Sequence, residues 1–144
     1  MTARPPAEPR VTVVVPTHDR ADHVPTAIES VLQQSYPHVD VVVVDDGSRD
    51  ETPRVLARVA AAHPRVRVLR NEAPLGPAGA RNRGARKAAG DVLAFLDDDS
   101  VYAPEKIAAQ LEILGGERGV VICRQRIIGP GGRQVIEAAP ILGI

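Results

Sequence analysis

The stretch Val39-Asp40-Val41-Val42-Val43-Val44 is apolar on both alternating faces except at Asp40. β-branched runs favour strands, and a strand with two apolar faces needs cover on both sides. A parallel sheet between two layers of helix meets that need, whereas a sheet with one wet face does not. Val11-Thr12-Val13-Val14-Val15 is a second run of this type, read as ending at Pro16. Between them Val24, Ala27, Ile28, Val31 and Leu32 recur at helical spacing and form one apolar stripe. Pro25 suits the first turn of that helix, and Asp19 or Asp22 stands where a cap is expected.

The alternation continues. Thr52-Pro53 predicts the N-cap and first position of a second helix, with Val55, Leu56, Val59 and Ala60 inward and His63-Pro64 as its stop. Val66 to Leu69 predicts a third strand, with Arg65, Arg67 and Arg70 as a solvated edge. Ala78 to Ala89 predicts a helix of small residues, with Gly84 allowing close approach to the sheet and Gly90 as C-cap. Val92 to Leu96 reads as a buried strand. Pro104 then opens a fourth helix, with Ile107, Ala108, Leu111 and Leu114 inward, and Gly115-Gly116 ends it. Val120 to Cys123, with Cys123 in the core, extends toward Ile128, and Gly129 to Gly132 turns it into a hairpin with Arg133 to Ile136. The expected fold is α/β: a three-layer α/β/α sandwich on a mostly parallel, Rossmann-like sheet over residues 11–144. Residues 1–10, rich in Pro and Ala, are expected to be a disordered lead-in, without the apolar segment of a signal peptide.

Composition narrows the function. Lys and Arg number 18, as do Asp and Glu, so no bulk field favours nucleic acid. Tyr36, Phe95 and Tyr102 are the only large aromatics, too few for a single-strand stacking platform. Cys123 has no partner for an intramolecular disulfide, and no stretch reaches membrane-spanning length. A cytoplasmic location, or a peripheral one at the cytoplasmic membrane face, follows as the expectation.

Ligands of open parallel sheets bind beyond the carboxyl ends of the strands. Three polar clusters fall there: Pro16-Thr17-His18-Asp19-Arg20, Asp45-Asp46-Gly47-Ser48 and Asp97-Asp98-Asp99. Like charges about 4 Å apart repel by roughly 4 kcal/mol at an effective dielectric near 20, so a partly buried acid triplet calls for a cation or a basic partner. Hard oxygen ligands suit Mg²⁺ or Mn²⁺, above all when phosphates complete the shell. In extended backbone Asp97 and Asp99 would share one side and Asp98 the other. The plainer reading of the triplet is a solvated loop, and Asp46-Gly47-Ser48 is also a simple turn. His18 reads as a loop residue, Asp45 as structural, and Arg81 and Arg83 as either solvent-facing charges or, for Arg81, an anion reader. No Gly-rich dinucleotide turn follows the first strand and no Walker lysine is present, which disfavours redox Rossmann and P-loop functions.

Five ordered blocks carry a more specific signal. They are Val13 to Arg20, Ser30 to Tyr36, Val43 to Thr52, Gly79-Ala80-Arg81-Asn82-Arg83-Gly84, and Gly90 to Asp99 followed by Pro104. Over Val11 to Leu114 the chain resembles the nucleotide-binding half of a family 2 inverting glycosyltransferase of the GT-A fold. The resemblance implies a hexosyltransferase-type enzyme that takes a sugar from a nucleotide-diphosphate donor, with UDP-sugar favoured, and passes it to an acceptor hydroxyl with inversion. It also implies that Pro16 and Thr17 line the base and ribose pocket, with Asp19 serving both its helix and the donor. Asp46 would hydrogen-bond the base, and Arg81 and Asn82 would sit near the donor. Asp97-Asp98-Asp99 matches the family's DXD motif: Asp98 would touch ribose or diphosphate, and Asp97 and Asp99 would hold Mn²⁺ or Mg²⁺, Asp99 as the main ligand. Ser100 stands where many relatives have a fourth acid. The catalytic base is expected beyond this chain, in an acceptor-binding half; Glu137, in an apolar segment, is not assigned that role. The second expectation is a non-catalytic nucleotide-sugar-binding module that meets a partner chain or a second copy through the apolar residues 138–144.

Overall fold

The structure, a computed structural model, describes residues 8–117, 119–123, 125–128 and 134–138. β1 (Val11–Thr17), α1 (Val24–Leu32), β2 (Val39–Asp45), α2 (Thr52–Ala62), β3 (Val66–Arg70), α3 (Gly76–Lys87), β4 (Val92–Phe95) and α4 (Lys106–Leu114) alternate along the chain. The four strands form one parallel sheet in the order β3-β2-β1-β4. β5 (Gln125–Ile128) and β6 (Gln134–Ala138) form a separate antiparallel hairpin, with Ile127 opposite Ile136.

Two cores explain the two-sided valine runs. On one face Val11, Val13, Val15, Val39, Val41 and Val43 pack with Val24, Ala27, Ile28 and Val31 of α1, Leu56 of α2 and Ile107 of α4. On the other, Val14, Val42 and Val44 pack against Ala80 of α3. Gly84 lets α3 lie close: a Cβ there would collide with Val14 and come within 3.1 Å of Val44 Cγ2. Each fully buried valine contributes roughly 1.5–3 kcal/mol, so the central strands are the thermodynamic centre of the molecule.

Several expectations change. β1 runs on through Pro16 to Thr17. Pairing with β4 stops at Val14 opposite Phe95, so the missing Pro16 N–H faces past the last paired residue and breaks no ladder. Neither Asp19 nor Asp22 caps α1; His23 is the N-cap and no side chain bonds there. Glu51, not Thr52, is the N-cap residue of α2, and Thr52 N donates to Asp50 Oδ1 at 2.9 Å. α3 starts at Gly76 and its C-cap is Ala88, while Gly90 N donates to Thr12 Oγ1 at 3.0 Å. α4 begins at Lys106, after a turn at Pro104.

β4 is an edge strand rather than a buried one, with Leu93 43% and Phe95 46% exposed. The strand's apolar composition hid this: among the described residues no helix covers its outer face on the α3 side. Residues 119–123 are not a strand, and Cys123 is exposed rather than in the core. The expected solvated arginines are exposed but engaged: Arg65 donates to Leu32 O at 3.1 Å, and Arg67 to Lys87 O. Of the expected lead-in 1–10, residues 1–7 lie outside the described residues. Arg10 bonds Asp40 and Asp91, and Pro9 O accepts from Tyr36. The turn at 129–133 and the apolar residues 139–144 also lie outside the described residues. Among the described residues no helix is long and apolar enough to cross a membrane.

Candidate functional site

The register puts Thr17 beside Asp45, and Asp46 N donates to Thr17 O at 2.8 Å. The loops after β1 and β2 therefore start together at the carboxyl end of the sheet. They are then laced by side chains. Asp19 Oδ1 accepts from Arg49 N at 2.7 Å and from Asp50 N at 3.3 Å, while Asp19 N donates to Ser48 Oγ at 2.9 Å. Arg20 N donates to Thr52 Oγ1 at 3.0 Å. Asp19 holds φ at +50°, a conformation Asp tolerates better than most residues. Its carboxylate is a clamp between loops, and Oδ2 faces His18 Nε2 at 3.3 Å. His18 Nδ1 lies 2.8 Å from Asp46 O, so this contact puts a proton on Nδ1.

Asp45 and Asp46 divide their work. Asp45 is 1% exposed; its Oδ1 accepts from Ser48 N at 3.0 Å and its Oδ2 faces Arg70 at 3.6 Å. It is structural, as the plainer reading had it. Gly47 makes the turn at φ +75°, where a Cβ would also crowd Pro74. Asp46, 5% exposed, reaches across to the loop before α3. Its Oδ1 accepts from Asn71 Nδ2 at 2.6 Å and Leu75 N at 2.8 Å, and its Oδ2 from Gly76 N at 2.9 Å. Burial pushes this carboxyl's pKa up, but the bonds from Leu75, Asn71 and Gly76 outweigh it and hold the group below the ordinary Asp value. Asn71, in turn, accepts from Arg83 through Oδ1. Asn71 and Arg83 were not singled out for this role from sequence. Asn71 stands between Arg70 and Glu72 after a strand, and only the fold brings it under Asp46.

The acid triplet stands beside these loops. Thr17 Oγ1 donates to Asp98 Oδ2 at 2.7 Å, and Arg81 of α3 pairs with Asp97. Asp99 is exposed and met by the Ser100 hydroxyl at 3.4 Å. The expected alternation of the three acids fails because the strand ends at Phe95 and Asp98-Asp99 lie in a turn. Tyr102, 8% exposed, anchors the segment by donating its hydroxyl to Phe95 O at 2.7 Å. Gln34 holds the far side: its amide donates to Ala103 O at 2.7 Å and accepts from Ile107 N at 3.0 Å. That gives the Ser30-to-Tyr36 block a structural purpose its sequence did not disclose.

Thr17 at the end of β1, Asp46, Asp97 and Asp98 in loops, and Arg81 on α3 are thus tied together at one end of the sheet. Pro16 is buried in β1 opposite Val44. Asn82 is exposed, about 200° around α3 from the buried Ala80, so it faces away from the sheet and apart from the other candidates. Among the described residues no three His, Cys, Asp or Glu side chains converge into a metal cage. The donor set at the triplet is carboxylate oxygen; among the described residues Asp99 is paired with no cation, and Asp97 is shared with Arg81. That set fits Mg²⁺ or Mn²⁺ entering with a diphosphate, where one or two carboxylates suffice, and does not fit a protein-only site.

Comparison with known proteins gives the family and the fold. The sequence pattern of the family described as Glycosyl transferase family 2 matches residues 12–139. The succinoglycan biosynthesis protein ExoO of Rhizobium meliloti is 43% identical over 104 residues, covering 72% of this chain and 29% of ExoO. An uncharacterized glycosyltransferase of Haemophilus influenzae is 39% identical over 104 residues, 72% of this chain and 34% of that protein. The chain thus spans about a third of the length of these relatives. Among solved structures, the mannosyltransferase PcManGT of Pyrobaculum calidifontis, in complex with GDP-Man and Mn²⁺, superposes with a TM-score of 0.70 at 33% identity, over 78% of this chain and 34% of that one. S. aureus TarS in complex with UDP superposes at 0.68 and 22% identity, over 86% of this chain and 43% of that one, a likeness of fold.

Proposed function

Because the chain belongs to glycosyl transferase family 2, we propose that the carboxyl end of its sheet is the donor site of a sugar transferase, and that it takes a UDP-sugar with a divalent ion. The observation that carries this reading is the convergence of Thr17, Asp46, Arg81, Asp97 and Asp98: Asp46 N donates to Thr17 O, Thr17 Oγ1 donates to Asp98, and Arg81 pairs with Asp97. In this reading Asp46 meets the base, Pro16 and Thr17 border the nucleoside, Asp98 meets ribose or diphosphate, and Arg81 and Asp97 flank the phosphates. Asp19 acts by holding the base-side loops, and Asn82 has no direct part. Asp99, helped by Asp97, would hold Mn²⁺ or Mg²⁺. A divalent ion there supplies Lewis-acid stabilisation of the leaving diphosphate. The whole enzyme would join an acceptor hydroxyl to the anomeric carbon as the bond to the diphosphate breaks, with inversion, making a hexosyltransferase whose base lies outside the described residues.

The bonding of Asp46 supports uridine. A carboxylate accepts at roughly four lone-pair positions. Among the described residues two donors occupy Oδ1 and one occupies Oδ2, which leaves a single position. Uracil offers one imide N–H, while guanine offers an N–H and an amino group together. A guanosine donor is the second reading, favoured by the GDP-Man bound to the similar mannosyltransferase. Calorimetric titration of the chain with UDP and GDP, each with and without Mn²⁺, decides between them. Metal-dependent UDP binding supports the proposal, GDP binding supports the second reading, and binding of neither overturns the donor-site assignment. Donor binding without transfer to any of a broad set of acceptors would identify the chain as a binding module that acts within a longer assembly.

A further inference from the structure

We infer that Arg83 and Asn71 are positioning residues for base specificity: Arg83 fixes the Asn71 amide, and Asn71 fixes the one acceptor position of Asp46 that a base can use. This rests on the reading that Asp46 meets the base. Arg83 stands on α3, facing β3. Its guanidinium donates to Arg70 O at 2.7 Å and to Asn71 Oδ1. Asn71 is 4% exposed, and its N–H is bound to Asp45 O at 2.8 Å, so its backbone cannot swing away. A side-chain amide in such a place has two orientations. With Arg83 donating to it, Oδ1 faces the cation and Nδ2 faces Asp46 Oδ1 at 2.6 Å. In the flipped orientation an amide NH₂ would face a guanidinium and an amide oxygen would face a carboxylate, two repulsive contacts in a buried setting.

The consequence is directional. With Asn71 and Leu75 both on Oδ1, the carboxylate is turned so that its open position lies on Oδ2, beside Gly76 N. If the amide is free to flip, Oδ1 regains a vacant position and the carboxylate can rotate to offer it. Base discrimination would then fall without any change at the phosphate end, where Arg81 and the acid triplet stand. Arg83 therefore tunes which base is taken while touching no part of the donor.

The test compares the unaltered chain with Arg83→Met and Arg83→Lys, using UDP, CDP and inorganic pyrophosphate as probes, each with Mn²⁺. CDP is the informative control, because cytosine N3 accepts where uracil N3–H donates. Arg83→Met is expected to lower UDP affinity and the UDP-over-CDP ratio by roughly tenfold, the worth of one buried charge-assisted hydrogen bond, with pyrophosphate affinity unchanged. Arg83→Lys should recover much of that ratio. Carbon-13 titration of the Asp46 carboxyl, read without any nucleotide, should move upward in Arg83→Met and return in Arg83→Lys. An unchanged ratio together with an unchanged Asp46 titration overturns the inference. An equal loss for pyrophosphate also overturns it, since that marks general loosening of the fold. If the unaltered chain does not separate UDP from CDP, base reading by Asp46 fails and takes the specificity claim with it; the carboxyl titration still decides whether Arg83 orients Asp46.

Discussion

Asp46 is the residue whose chemistry is most constrained. It is buried, ionised and held by Leu75, Asn71 and Gly76 from a different loop. Replacing it with Ala should weaken UDP binding by about 1–3 kcal/mol, the cost of leaving a buried donor unpaired, and calorimetry reads this directly. It should also destabilise the chain before any ligand is added. The sign with pH follows from the lowered pKa. A carboxyl whose folded pKa lies below its unfolded one contributes stability that is full above the unfolded value and lost as pH falls through the folded one. The gap in melting temperature between the unaltered chain and Asp46→Asn should therefore be constant near neutrality and close below about pH 4. A gap that widens in acid would contradict the ionised, hydrogen-bonded state of Asp46. Thr17→Val should cost about 1 kcal/mol in denaturant melts through loss of the bond to Asp98.

At the scale of elements, α3 decides the shape of the site. It is the helix on its face of the sheet that packs against both β1 and β2, and it carries Arg81 toward β4 and Arg83 toward β3. That straddling position depends on Gly84, which has Val14 and Val44 directly beneath it. Gly84→Ala is expected to destabilise the chain by about 1–3 kcal/mol, despite the higher helix propensity of Ala, because overpacking outweighs a gain of about 1 kcal/mol. Equilibrium urea melts test this, and a stabilised variant would mean that α3 rides higher over the sheet. The helix was read from sequence as two residues displaced, at 78–89 rather than 76–87, since Gly76 and Pro77 looked like loop. Gly76 opens the helix at φ +78°, a conformation glycine adopts freely, and Asp46 accepts from its N–H, one of the first-turn donors without a partner inside the helix.

Over the whole molecule, a ligand that binds only the folded chain must raise its stability by mass action. UDP with Mn²⁺ at a hundredfold excess over its dissociation constant should add about 2.7 kcal/mol, seen as a higher melting temperature, and a chelator should remove the metal-dependent part. Absence of any shift would count against the donor site as a whole. The described sheet has two unlike edges. β3 is lined by Arg65, Arg67 and Arg70, while β4 leaves Leu93 and Phe95 about half exposed. The charge that balances to zero over the chain is thus unevenly spread, with α3 and β3 together carrying Arg67, Arg70, Arg81, Arg83, Arg86 and Lys87 and no acid.

The sequence by itself determined the parallel α/β sheet, because valine runs apolar on both faces call for cover on both sides, and helical stripes between them supply it. It also determined which strand ends carry acids, because those acids directly follow apolar runs, and ordered motif blocks brought the family into view. The tertiary structure decided how each acid is used. Asp19 clamps loops instead of capping α1, Asp45 is structural, Asp97 pairs with Arg81, and Asp98 turns to Thr17. It also decided that β4 is an edge and that Cys123 is exposed. These outcomes depend on contacts between residues far apart in the chain, such as Asp46 with Gly76 or Gln34 with Ile107. Local periodicity records which side of an element is apolar; it carries no record of what the chain later brings to that side.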